Sequence, residues 1–256
     1  RIRYNYSFMN ALIFAAGLGS RLGTYTQDLP KALVKVAGKP MLEHQLLHLK
    51  KAGVETVVVN VHHYADKIVD FIDSFGAFGM DIRISDESGE LLDTGGGLRK
   101  ALPLFDNDQP VLLHNVDIFS SIDLRKLYDI HCAANSDVTM VVADRDTARK
   151  LYFDDSQNLK GWRDSRDGKL RSAFSDFDYT LCKSYAFQGI HVVSQSVLKY
   201  LNAVNENKFG ITGFYIDYAN LLKISASEDF NPSDWVDAGK PEMLEKAADI
   251  VRRFYQ

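Results

Sequence analysis

The chain has 256 residues and a formal net charge of -4 with 25% of its residues charged, long enough for one large core and without the global positive field that holds a nucleic-acid backbone. Its two cysteines, Cys132 and Cys182, show neither zinc-site spacing nor a disulfide framework, which points to a reducing cytoplasm. No run of about 18 apolar residues occurs and the start lacks the apolar stretch of an export signal, so no membrane partner is expected.

Residues 1–8 (RIRYNYSF) precede Met9 and read as an extension or cloning remnant. Asn10 to Ala16 is a short apolar run ending in glycine, the pattern of a strand buried on both faces of a parallel sheet. Met41 to Ala52 spaces its apolar residues as a helix does, with Gly53 at the C-cap, and Thr56 to Val61 (TVVVNV) is a second buried strand. A helix near Ala65 to Phe75, a strand at Asp81 to Ser85 and a short helix from Gly97 to Leu102 follow. Next come a strand at Val111 to Asn115, a helix at Leu124 to Ala133 and a strand at Asp137 to Val142.

This alternation predicts an α/β, doubly wound, mostly parallel Rossmann-like sheet, whose ligands bind at the carboxyl ends of strands. Beyond Leu151 the pieces become shorter and rich in aromatic and turn residues, as in hairpins over the sheet. Tyr185 to Val193 reads as a strand and Pro241 to Tyr255 as a closing helix. One domain over residues 9–256 is expected, with a nucleotide-binding half (9–150) and a smaller half for the partner substrate (151–256).

Between the first strand and first helix, Gly17 to Lys39 runs 23 residues without periodicity, too long for an idle loop in a compact domain. It carries Gly17, Gly19 and Gly23 with Arg21, Lys31 and Lys35, so amides and cations can converge on phosphates. The dinucleotide fingerprint fails, because Leu22 stands at its third glycine and Asn60, Val61 and His62 end the second strand where an acid is needed. No Walker Gly-Lys-Ser/Thr follows either.

The string Ala15-Ala16-Gly17-Leu18-Gly19-Ser20-Arg21, with Leu29-Pro30-Lys31 and Gly38-Lys39-Pro40, resembles the signature of the sugar-1-phosphate nucleotidyltransferases. The resemblance implies that Ala15, Ala16, Gly17, Gly19 and Ser20 wrap a nucleoside triphosphate and that Arg21 and Lys31 bind its phosphates. Thr94-Gly95-Gly96-Gly97 is similar to the family's second glycine run, read as lying directly before a helix, which implies backbone contacts from Gly95 and Gly96 to the base; Asp93 stands where a glycine is usual.

His114-Asn115-Val116-Asp117 ends a strand where the family carries its metal-binding aspartate. The resemblance makes Asn115 a nucleotide contact and Asp117 a metal ligand, while Val116, in place of glycine, is expected to narrow the site. Trp235 to Glu242 resembles the second metal motif, with Asp237 as ligand, and Gly189 is implied as a sugar contact. Two carboxylates suit Mg2+, which takes its remaining oxygens from water and phosphates.

The implied reaction joins a sugar 1-phosphate to a nucleoside triphosphate. Within the family the TGGG run and compact length are most similar to the N-acetylmuramate 1-phosphate uridylyltransferases, with mannose and heptose guanylyltransferases as alternatives. A non-catalytic nucleotide-sugar sensor is the reading of another class, opposed by the retention of Arg21, Lys31, Asp117 and Asp237. Lys160 and Lys183 are candidates for holding the sugar phosphate, and a muramate carboxylate calls for a further cation, from Arg163, Arg166, Lys169, Arg171 or Lys183. Cys132 and Cys182 read as packing residues.

Overall fold

In the computed structural model, which describes residues 8–228 and 230–255, the first apolar run forms the central strand. The extension read over residues 1–8 lies, apart from Phe8, outside the described residues. Strand β1 (Met9–Phe14) is buried throughout, sending Met9, Ala11 and Ile13 into one core and Leu12 and Phe14 into the other. A hairpin of β2 (Lys35–Val36) and β3 (Lys39–Pro40) leads into α1 (Met41–Lys51), β4 (Val54–Val61), α2 (Ala65–Ser74), β5 (Asp81–Asp86) and α3 (Asp93–Ala101). Then follow β6 (Val111–Asn115), β7 (Ile118–Ser120), α4 (Leu124–Ala134) and β8 (Val138–Ala143). A meander of β9 (Arg149–Phe153), β10 (Leu159–Asp164) and β11 (Leu170–Arg171) precedes the long β12 (Lys183–Val193). The chain closes with α5 (Leu198–Leu201), α6 (Ile211–Asp217), β13 (Ile224–Ser227), β14 (Trp235–Asp237) and α7 (Leu244–Phe254).

Strands β5, β4, β1 and β6 pair in parallel in that order. β12 runs antiparallel between β6 and β8, and β13 pairs in parallel with β8. The sheet is therefore mostly parallel, with β12 reversed. Helices cover both faces: α1, α2, α4 and α7 contribute to one core, α3, α5 and α6 to the other. This is the doubly wound arrangement, in which both sides of each central strand must be apolar. No helix among the described residues is long and apolar enough to cross a membrane.

Three departures from the sequence reading are informative. The glycine run does not precede its helix; α3 begins at Asp93 and contains Gly95, Gly96 and Gly97, all buried. Tertiary packing outweighs glycine's poor helix propensity here, because a Cβ on Gly96 would lie 2.2 Å from the Asn207 carbonyl oxygen, so only glycine permits the approach. The stretch from Gly17 to Lys39 is not structureless but folds as two 3-10 turns, Ser20–Thr26 and Lys31–Leu33, and the β2–β3 hairpin. The third is α6 and β13, which the sequence reading left unassigned. Residues after 150 supply β12 and β13 to the central sheet and α7 to the face that α1 packs on.

Candidate active site

At the carboxyl ends of β1, β4 and β6 a cleft of about 500 Å³ opens, lined on one side by Ala16, Gly17, Gly19, Ser20 and Arg21. Asn60, the single polar side chain near the end of β4, shapes this wall: its Oδ1 accepts from the Ala15 and Ala16 amides at 2.7 and 3.1 Å. The strand is thereby turned into the loop. Gly19 takes φ +67°, and a Cβ there would press on Lys31 at 2.8 Å, so glycine is needed where loop and lysine meet. Ala15 itself packs into the core rather than the cleft.

Lys31 extends under the loop to Asp117, Nζ to Oδ2 2.8 Å. Asp117 leaves β6, and the pairing of β7 with β14 sets Asp237 opposite Ile118. The Ala238 amide donates to the Asp117 carbonyl at 2.8 Å, and the Gly239 amide to Asp237 Oδ1 at 2.8 Å. Arg21 closes the group, with Nη2 3.3 Å from Asp237 Oδ2 and 4.0 Å from Asp117 Oδ2. A Cβ on Gly239 would stand 2.7 Å from Asp237 Oδ1 and 2.9 Å from Asp117 Oδ2, so the two carboxylates face one small volume. Burial opposes the charge of Asp117, but the Lys31 ammonium beside it holds its carboxyl below the ordinary range.

The opposite wall is made by Glu87, Leu91, Asp93, Thr94 and Lys208. Asn60 Nδ2 donates to Glu87 Oε1 at 2.8 Å and the Leu92 amide to Glu87 Oε2 at 3.0 Å. Burial pushes the Glu87 carboxyl up against these bonds. Asp93 has φ +59°, the conformation that suits the glycine usual at this place. Gly95 and Gly96 do not line the cleft: their amides donate to the Phe209 carbonyl at 2.8 and 3.3 Å, which clamps residues 207–209 onto α3. Lys208 reaches the cleft from this clamp.

The remaining predicted residues divide. Asn115 lines the cleft, and Gly189 packs behind it, where a Cβ would meet Asn115 Nδ2 at 2.9 Å. Val116 does not narrow the site as expected, since its side chain is fully buried in the core on the α1 face. Lys160 pairs with Asp154 at 3.4 Å, Arg163 stacks on Tyr179 at 4.8 Å and Arg166 binds Asp164 at 2.9 Å. Lys169 and Arg171 line a second cavity, and Lys183 is exposed at the start of β12. Burial raises the Cys182 thiol, so it stays protonated. Asn60, Glu87 and Lys208 were not picked out as site residues; the lone asparagine in the apolar TVVVNV was the available signal for the first.

Among the described residues no three His, Cys, Asp or Glu side chains gather around one point. Asp117 and Asp237 nevertheless offer hard oxygens to a common volume, a donor set that fits Mg2+ when phosphates complete its shell.

The fold superposes with a TM-score of 0.78 on a putative glucose-1-phosphate thymidylyltransferase from Bacillus anthracis, at 19% identity over 95% of each chain. The architecture is thus the Rossmann-like one of the sugar-phosphate nucleotidyltransferases. The chain belongs to the family of MobA-like NTP transferase domains, whose profile matches residues 11–196. It is 47% identical to the N-acetylmuramate alpha-1-phosphate uridylyltransferase of Caulobacter vibrioides over 109 residues, 42% of this chain and 45% of that protein. It is 31% identical to mannose-1-phosphate guanylyltransferase 1 of Arabidopsis thaliana over 240 residues, 91% of this chain and 62% of that protein. The match therefore spans about half the length of these curated relatives.

Proposed function

We propose that the chain transfers a nucleotidyl group from a nucleoside triphosphate to a sugar 1-phosphate, releasing pyrophosphate, with UTP and N-acetylmuramate 1-phosphate as substrates in a reducing compartment. The observation that carries this reading is the convergence of Arg21, Lys31, Asp117 and Asp237 from distant segments onto one point beside the glycine loop that lines the cleft. An oxygen of the sugar phosphate attacks the α-phosphorus in line; the bond to the α–β bridging oxygen breaks, and its electron pair leaves with pyrophosphate. The attacking oxygen is already anionic, so no general base is required. Positioning and charge neutralisation then supply the rate. Mg2+ held by Asp117 and Asp237 would neutralise phosphate oxygens as a Lewis acid. Arg21 and Lys31, cations already gathered at this point, bind the triphosphate as charge moves toward the leaving group.

UTP and the muramate sugar are favoured by the 47% identity to the uridylyltransferase. The guanylyltransferase alternative draws on a weaker identity spread over more of the chain. A screen of four nucleoside triphosphates against N-acetylmuramate, glucosamine, mannose and heptose 1-phosphates, following pyrophosphate release with magnesium, tests both levels. The highest kcat/KM is expected for UTP with N-acetylmuramate 1-phosphate. Preference for GTP with mannose or heptose would reverse the substrate assignment alone, and no release from any pair would reject the transferase itself.

A further inference from the structure

The two walls of the cleft are joined by one chain of hydrogen bonds. On the loop side the Ala15 and Ala16 amides both donate to Asn60 Oδ1, so Asn60 sets the direction in which the chain leaves β1. On the other side Asn60 Nδ2 donates to Glu87 Oε1, and the amide of Leu92, at the start of α3, donates to Glu87 Oε2. Asn60 and Glu87 are 3% and 1% exposed. The Glu87 backbone is held independently: its amide donates to the Val61 carbonyl at 2.7 Å, and its carbonyl accepts from His62 Nδ1 at 2.7 Å. A Cβ on Gly97 would stand 2.9 Å from Glu87 Oε1 and 3.0 Å from Asn60 Nδ2, so α3 leaves room for this pair.

An asparagine amide has nearly the same shape either way round, and its neighbours decide which end points where. A carboxylate only accepts. Placed against Asn60, Glu87 draws the NH2 end toward itself and leaves the oxygen for Ala15 and Ala16. A glutamine at this position could not serve both of its partners: turned one way its own NH2 would oppose Asn60 Nδ2, turned the other way it would oppose the Leu92 amide. Burial works against the Glu87 charge, a cost that a glutamine would avoid and that the order of the bonds accounts for.

Resting on the transferase reading above, we infer that Glu87 is a positioning residue that acts through Asn60, tying the cleft wall of residues 91–94 to the loop that receives the phosphates. Its effect on the phosphates is exerted without touching them.

Magnesium tripolyphosphate, which carries the phosphates and no base, separates this role from any direct contact of Glu87 with a base. Its binding is followed by calorimetric titration, without turnover, after circular dichroism shows which variants are folded. Saturable binding is expected for the wild type, weakened by about tenfold in Glu87→Gln, where one bond of the chain is lost, and similarly in Asn60→Asp, where two carboxylates face each other. The double variant Asn60→Asp/Glu87→Gln exchanges amide and carboxylate and can make every bond again with one of them reversed. Its affinity should return to within about threefold of wild type, a coupling that only a direct interaction gives. Wild-type affinity in Glu87→Gln, a double variant that is unfolded or binds no better than the weaker single one, or no saturable binding by the wild type overturns the inference. Pyrophosphate release by the wild type decides the transferase reading separately. Release together with unchanged tripolyphosphate affinity in Glu87→Gln rejects the tie and keeps the transferase; rescue in the double variant with no release from any substrate pair keeps the tie and discards the transferase.

Discussion

Replacing Asp117 by alanine removes more than a candidate metal ligand. The side chain is 6% exposed and paired to Lys31, so truncation leaves a largely buried ammonium beside Arg21 without its acid. Breaking such a pair costs about 3 kcal/mol or more, and loss of activity in Asp117→Ala would mix folding with chemistry. Asp117→Asn keeps the shape and is expected to lower turnover by about a thousandfold, the scale of a lost electrostatic group, with the circular dichroism spectrum unchanged. Near-normal pyrophosphate release by this variant would remove Asp117 from the reaction. Arg21 is half exposed and stabilises the fold little, so Arg21→Ala should cost turnover of about a hundredfold at saturating triphosphate. Arg21→Lys should recover only part, because a point charge does not reproduce the fork. Unchanged kcat in both Arg21 variants would contradict the phosphate role.

At the scale of elements, what could be read in the sequence was whatever a strand buried on both faces or an amphipathic helix declares by its own pattern. β1, β4, β6 and α1 fall within two residues of their expected bounds for that reason. The position of Asp117 at a strand end was equally visible. Asp237 could be placed only by family resemblance, since it is delivered by pairing between the three-residue strands β7 and β14, which have no length for a period to show. α6 contains Gly213 and spans seven residues, too short for a periodic signal. The bond between Asn60 and Glu87 carries no motif at all; it is a contact between distant segments. The clamp of residues 207–209 on α3 was hidden for the same reason, and it can be tested. Gly96→Ala forces a methyl against the Asn207 carbonyl and is expected to destabilise by about 1–3 kcal/mol, seen as a lower urea midpoint at unchanged slope. Because the clamp carries Lys208 to the cleft, the KM for triphosphate should rise as well. A midpoint equal to wild type would show that the clamp yields freely.

Among the described residues burial holds five histidines as neutral bases and is the leading cause in each: it lowers His44, depresses His48 and His191 to about 3, and depresses His114 and His131 to about 4. In the unfolded chain these groups titrate near 6.5. Below that pH the unfolded state takes up protons that the folded state refuses, so stability is complete above 6.5 and is lost as pH falls toward 4. Each histidine adds a slope of about 1.4 kcal/mol per pH unit in that window. Urea midpoints should therefore fall steadily from pH 7 to pH 5. His191, fully buried with no hydrogen-bond partner for either ring nitrogen among the described residues and packed edge-on to Phe187 and Tyr215, identifies one contributor. His191→Phe should shallow the pH slope, and a slope identical to wild type would exclude it.

The proposed transfer, placed where two cations and two acids converge, predicts a reversible exchange of pyrophosphate for sugar phosphate at the α-phosphorus. Isotope exchange measures this directly: radiolabelled pyrophosphate is incubated with the enzyme, magnesium and UDP-N-acetylmuramate, and label is sought in UTP. Label is expected in UTP only when the nucleotide-sugar is present, and it should be lost in Asp117→Asn and Asp237→Asn. Exchange persisting undiminished in both variants, or no exchange with this or any other nucleotide-sugar of the panel, would contradict the assignment of the site.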